Sequence, residues 1–214
     1  NKINVIEPFP NEMNYRGSEY LLALKGDPIS KSALLSTTIQ TNMLLSRMLD
    51  KYSESRSDGF FGKKLFAFTD DIDVVNRLYH STLDSEGRRY NGYEDGAKAT
   101  LSSLRDPSSL SNIKSVQGQV WKIPSIIQND ASLTNKKKVI RVSSQETGSQ
   151  TDAEIVIATS KLEVGVDDPN VGAVVQHKSP REFASFLQRK GRAGRSEFMR
   201  PWTVVVLSDF GRDK

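Results

Sequence analysis

Gly191-Arg192-Ala193-Gly194-Arg195 sets two guanidiniums three residues apart, with a glycine ahead of each. Arginine stays charged and offers a planar fork of donors that grips phosphate oxygens bidentately, while glycine lets backbone approach a ligand closely. A fixed arginine beside a transferring phosphoryl group stabilises the charge of the transition state. Taken alone, the run is equally a glycine-broken basic turn, so its surroundings decide. Between Gln176 and Arg200 seven basic residues face two acidic ones. The whole 214-residue chain has 30 Lys plus Arg against 26 Asp plus Glu, a net +4, so the remainder is close to neutral. Such a basic run is often only a solvated helix face.

Two further groups of residues could act with the arginines. Upstream lies Thr159-Ser160-Lys161-Leu162-Glu163-Val164-Gly165-Val166-Asp167, and immediately before the arginine pair stands Gln188-Arg189. Thr159, Thr69 and Ser143 each follow a short apolar run and so stand at strand ends, although Thr159 could also cap a helix. Asp167-Asp168-Pro169 could be no more than a turn. His177 reads as the end of a strand rather than a general base. With no cysteine, disulfides, thiolate metal sites and a cysteine nucleophile are excluded. The two histidines, His80 and His177, are too distant in sequence to suggest a zinc site. Asp70, Asp71 and Asp73 suit helix capping better than metal binding, with Asp70 as the cap, so no metal site is expected.

The elements that position these residues follow from apolar patterning. Leu65-Phe66-Ala67-Phe68, Val139-Ile140-Arg141-Val142, Ile155-Val156-Ile157-Ala158, Ala173-Val174-Val175 and Thr203 to Leu207 are short continuous apolar runs, the mark of strands buried on both faces. Between Lys31 and Tyr52, Leu34, Leu35, Ile39, Leu45, Met48 and Leu49 recur at helical spacing and predict an amphipathic helix. A second helix follows Asp70, with Ile72, Val75, Leu78 and Tyr79 as its buried face. A third begins after Ser179-Pro180-Arg181-Glu182, read as a capping box, with Phe183, Phe186 and Leu187 buried and Gly191 as its stop. Strands alternating with helices predict an α/β three-layer sandwich around a largely parallel sheet, with ligands at the carboxyl ends of the strands.

Ala158-Thr159 through Gly165-Val166-Asp167, with Gln188-Arg189 and Gly191 to Arg195, resembles motifs V and VI of superfamily 2 helicases. Leu65 to Thr69 stands where motif IV would be. The resemblance covers chiefly Ala153 to Arg195 and implies the second RecA-like motor domain of an ATP-dependent helicase. It implies that Arg192 and Arg195 reach ATP phosphates across a domain cleft, with Arg195 as the finger. Gln188, Gly165 and Asp167 would line that cleft. Thr159, Thr69 and Ser143 would hold the nucleic-acid strand. The form of motif V is most similar to that of large bacterial DNA-processing or defence-associated helicases, which implies DNA rather than RNA.

A phosphate-cradling Gly-x-x-x-x-Gly-Lys-Ser/Thr loop is missing: Gly59-Phe60-Phe61-Gly62-Lys63-Lys64 has two residues between its glycines, not four, and no hydroxyl after the lysine. The expectation is therefore a half-motor, inactive alone as an ATPase. ATP and Mg2+ would be bound mainly by a first RecA-like domain of the same chain, preceding Asn1. Residues 1–30 read as an extended lead-in from that domain, and 31–214 as the second domain with a poorly patterned insertion at about 84–138. No apolar run approaches membrane-spanning length, and a cytoplasmic location is expected. The alternatives are a RecA-like scaffold without ATPase activity and an RNA helicase.

Overall fold

A computed structural model describes residues 19–25, 33–50, 57, 59–107, 120–122, 133–142, 152–163, 167–209 and 213. Six strands form one sheet: β1 (Tyr20–Lys25), β2 (Lys64–Phe68), β3 (Val139–Val142), β4 (Ile155–Ala158), β5 (Val171–His177) and β6 (Trp202–Leu207). Their order is β1-β6-β5-β2-β4-β3, and every pairing is parallel. Among the described residues, three α-helices accompany them: α1 (Ala33–Met48), α2 (Ile72–Ser85) and α3 (Phe183–Lys190). This is the expected α/β sandwich around a parallel sheet. The sheet begins at Tyr20, within the stretch that read as a lead-in.

The strand pleat sends alternate residues to opposite faces. Leu65, Ala67, Ile155, Ile157, Ala173 and Val175 join the core beneath α1 and α2. Phe66, Phe68, Val156, Ala158 and Val174 join a second core with Leu162 and Ala193. Both faces are buried, so the strands carry apolar runs rather than alternation, and β2, β4 and β5 are buried at every position.

α1 departs from the amphipathic expectation. Beside Ile39, Met43 and Leu45 it also buries Thr38, Asn42 and Arg47. Arg47 is held at both guanidinium nitrogens by the Glu86 carboxylate, 2.7 Å each, and donates to the carbonyls of Met43 and Asn135. Glu86 also accepts from the Lys137 amide at 3.1 Å. One fully buried ion pair thus ties α1 to the end of α2 and to the lead of β3.

Part of the stretch read as an insertion is anchored by the same logic. Arg88 donates to the carbonyls of Gly92, Lys136 and Lys137. Thr100 and Ser102 both donate to the Leu133 carbonyl, and a 3-10 helix, Leu101–Arg105, leads to Trp121 in the core. No helix among the described residues is long and apolar enough to cross a membrane.

Candidate functional site

Two opposite edges of the sheet gather the residues singled out from the sequence. At the carboxyl edge, Phe68 pairs in register with Ala158 and Gln176, so Thr69 and Thr159 end neighbouring strands at the same level. The Thr69 amide extends the ladder to the Ala158 carbonyl at 3.1 Å. Thr69 is only 2% exposed, whereas Thr159 is half-buried, just before the 3-10 turn Ser160–Glu163. Ser143 lies outside the described residues, as does Gly165.

Behind this edge sits a cluster that the sequence did not announce. Arg189, the buried residue of α3, pairs with Asp70 at 2.7 Å, donates to Gln176 Oε1 at 2.7 Å and lies 5.6 Å over the Phe68 ring. Asp70 is therefore a partner for Arg189. The α2 cap is Asp71, which accepts from the Asp73 amide at 2.8 Å. The physical reason is geometric: Asp70 follows Thr69 at the strand end and faces α3, while Asp71 already has extended backbone at the helix start.

His177, at the end of β5, is buried and 2.7 Å from the Thr38 hydroxyl. That hydroxyl gives its one proton to the Leu34 carbonyl, so the imidazole Nδ1 is the donor. Burial, with the Lys178 and Arg77 charges added, brings the His177 pKa down to about 4. It stays neutral and serves as a structural group.

The arginine turn lies at the other edge. α3 starts near the carboxyl ends and runs back across the sheet, so the segment after it emerges at the amino ends, where the Gly194 amide donates to the Val171 carbonyl at 3.1 Å. The turn thus lies at the amino ends and not at the carboxyl ends, where the fold class had led ligands to be expected. Gly194 has φ +76, and a Cβ there would meet Pro201 Cγ at 2.6 Å, so only glycine fits. Gly191 ends the helix with φ −66, a conformation open to any residue. Ala193 packs into the second core and anchors the turn from within.

On that turn Arg195 Nη1 lies 3.3 Å from Asp167 Oδ1, with the Asp167 side chain 75% exposed. Arg192 is half-buried beside it and Gln188 is exposed on the last turn of α3. Asp168 points elsewhere. It accepts from Lys64 Nζ at 2.5 Å and from the Asn170 amide at 2.9 Å. Burial raises its pKa, but these hydrogen bonds outweigh that and hold it below the usual carboxylate range. The two adjacent aspartates thus divide: Asp168 shapes the turn into β5, and Asp167 faces outward to Arg195.

Two expectations for α3 fail. Its N-cap position is Glu182, with no side-chain cap, because Ser179 instead binds Asp213 through both its amide and its hydroxyl. Its apolar stripe is not buried: Phe183 is 73% exposed and Leu187 48%. On α2, Ile72 is likewise exposed. Helical periodicity identifies a face, but only the neighbours decide whether that face is covered. Among the described residues, no group of three or more His, Asp or Glu could hold a metal ion.

Residues 124–197 match the family described as the helicase conserved C-terminal domain. Among solved structures, the chain is similar to Mss116p DEAD-box helicase domain 2 bound to an RNA duplex, with 11% identity over 89% of this chain and 55% of that one, TM-score 0.49. Dbp5 of S. cerevisiae, bound to RNA and ADP BeF3, matches at 16% identity over 97% and 39%, TM-score 0.49. Mycobacterium smegmatis helicase Lhr, bound to ssDNA and AMP-PNP, matches at 15% over 89% and 20%, TM-score 0.48. The chain spans about half or less of the length of these proteins.

Proposed function

We propose that this chain is the C-terminal, second RecA-like domain of a superfamily 2 helicase, a reading supported by the match of residues 124–197 to the helicase conserved C-terminal domain, and that its amino edge completes an ATP site while its carboxyl edge holds a nucleic-acid strand. The ATP and its Mg2+ are bound mainly by a first RecA-like domain of the parent protein. Arg195 is the finger, Arg192 supports it, and Gln188, Gly165 and Asp167 line the cleft. By itself the chain hydrolyses no ATP.

The observation that carries this reading is the Arg195–Asp167 pair on its glycine-fixed turn. An exposed ion pair is worth about 0.2–1 kcal/mol. Exchanging the Asp167 carboxylate for a phosphate oxygen therefore costs little, and phosphate accepts the guanidinium fork in the same geometry. Until then Asp167 keeps Arg195 pointed into the cleft. Arg189 is unsuited to the task, since leaving Asp70 would strand a buried carboxylate.

At the carboxyl edge Thr159 is the leading phosphate contact, Thr69 offers its strand-end position beneath it, and Ser143, next in sequence after Val142, is a further candidate contact. Such contacts fit the phosphates of DNA and RNA alike, so the implication of DNA is to be tested directly. Motion along a strand requires that ATP bind the closed arrangement of the two domains more tightly than the open one.

The test is ATPase activity of the full-length parent with single-stranded DNA, duplex DNA or RNA, beside Arg195→Ala. Stimulated turnover that falls about a hundredfold or more in the variant is expected, on the scale of a finger arginine. Turnover indifferent to every nucleic acid and to the substitution would leave the fold as a scaffold. Turnover by this chain alone would refute the half-motor reading.

A further inference from the structure

Lys178 is the one non-glycine residue with positive φ among the described residues, at +66. It follows His177 at the end of β5, its amide still in the ladder to the Val206 carbonyl at 2.9 Å, and its side chain is exposed. The turn from β5 toward α3 demands a left-handed residue, and glycine or asparagine would take that conformation at least cost. Lysine has no Cβ relief and no short polar side chain to offset the penalty. Strain retained at one position is a pointer to a role for its side chain.

The charges around it sharpen the point. Several cations near the two edges are committed: Arg189 to Asp70, Arg195 to Asp167, Lys25 to Asp209 and Lys190 to Glu19. Lys178 has no carboxylate partner among the described residues, nor does exposed Arg77 of α2, and both charges bear on His177 from different elements. The nearby carboxylate, Asp213, is occupied by the amides of Ser179 and Ser208 and the Ser179 hydroxyl. By register Thr69 on β2 lies level with His177 on one neighbouring strand, β5, and with Thr159 at the end of the other, β4.

We propose that Lys178 is a phosphodiester-binding residue of the carboxyl edge, held in left-handed backbone so that its ammonium extends the row Thr69–Thr159 across β5, with Arg77 flanking the same anion path. This rests on the nucleic-acid reading of that edge and adds its missing positive charge. A flexible ammonium suits a strand that slides, since it follows a phosphate as a point charge without a fixed fork geometry. The contact is to backbone, so it carries no sequence preference.

The test measures binding of short labelled oligo-dT and oligo-U by the full 214-residue chain across a salt series, with melting temperature in parallel, for wild type, Lys178→Gly, Lys178→Met and Lys178→Arg. Lys178→Gly removes charge and strain together. It should weaken binding by roughly threefold to tenfold and flatten the slope of log affinity against log salt by about 1, without melting lower than wild type. Lys178→Met keeps the backbone penalty and should lose the same affinity at an unchanged melting temperature; Lys178→Arg should bind as wild type. If Gly and Met variants bind as wild type with the same salt slope, Lys178 merely fills a turn and the proposal falls alone. If wild type binds neither oligonucleotide, the nucleic-acid reading of the edge falls with it.

Discussion

The two ends of one parallel sheet are built on opposite electrostatic plans. At the carboxyl edge the arginine is internal: Arg189 is 4% exposed and Asp70 11%, locked together with Gln176 and Phe68. At the amino edge the arginine is external: Arg195 meets an aspartate that is 75% exposed. The residues come from one short run and are of one type, yet the first pair is committed to the fold and the second can be exchanged. A buried pair is hard to break because either partner left alone has neither water nor a counter-charge, while an exposed pair is barely worth its own entropy. The lesson is that a basic motif divides by burial, and burial assigns each arginine to structure or to chemistry.

The sharpest way to break this contrast is to remove each arginine in turn and measure unfolding in denaturant. Arg189→Ala strands Asp70 and should cost about 3–5 kcal/mol, whereas Arg195→Ala should change stability by less than about 0.5 kcal/mol. Equal losses would show that the two pairs do not differ as described.

Protonation probes the carboxyl edge next. His177 has its pKa lowered to about 4 in the fold from an ordinary 6.5. Below that ordinary value the unfolded chain takes up a proton that the folded chain refuses. The contribution is whole above about pH 6.5 and is lost as pH falls toward 4, amounting to about 3 kcal/mol. His177→Asn should flatten this part of the profile of melting temperature against pH relative to wild type. Parallel profiles would mean that the imidazole is not held neutral.

At the amino edge the two glycines of the arginine turn are unequal. Gly194→Ala must combine positive φ with a clash against the stiff Pro201 ring and should cost about 1–2 kcal/mol or more. Gly191→Ala, with ordinary φ and its nearest neighbour the Leu187 carbonyl at 3.2 Å, should cost under about 1 kcal/mol. The smallest effect separates the two threonines. Thr159→Val should weaken oligonucleotide binding by roughly threefold to tenfold, the worth of one hydrogen bond, while Thr69→Val should leave affinity unchanged because its side chain is already buried. The reverse order would place the strand on the other side of the edge.

Much of the fold was legible because the strands need no context. Ile155 to Ala158 and Leu65 to Phe68 are apolar at every position, and only a strand covered on both faces makes use of that. The arginine turn was legible too, since glycine spacing and charge are local. Less readable were partners chosen across the fold. Ser179-Pro180-Arg181-Glu182 has the pattern of a capping box, but Asp213, 34 residues away, captures the serine. Asp70 and Asp71 have the same chemistry, and only the position of α3 decides which one meets Arg189. Arg47, Glu86 and the Lys137 amide lie far apart in the chain, with no periodicity to announce their buried meeting.

By itself, then, the sequence determined the strands from β2 to β6, the three helices α1 to α3 and which residue types gather near the arginine turn, because propensity, apolar runs and glycine spacing act over a few residues; strand β1 it left inside a lead-in. The tertiary structure decided what faces water. It put Arg189 inside and Arg195 outside, buried Thr69 while leaving Thr159 half-buried, and sent the arginine turn to the amino edge by running α3 back across the sheet. Those outcomes depend on desolvation and on contacts between distant residues, which exist only once the sheet has assembled.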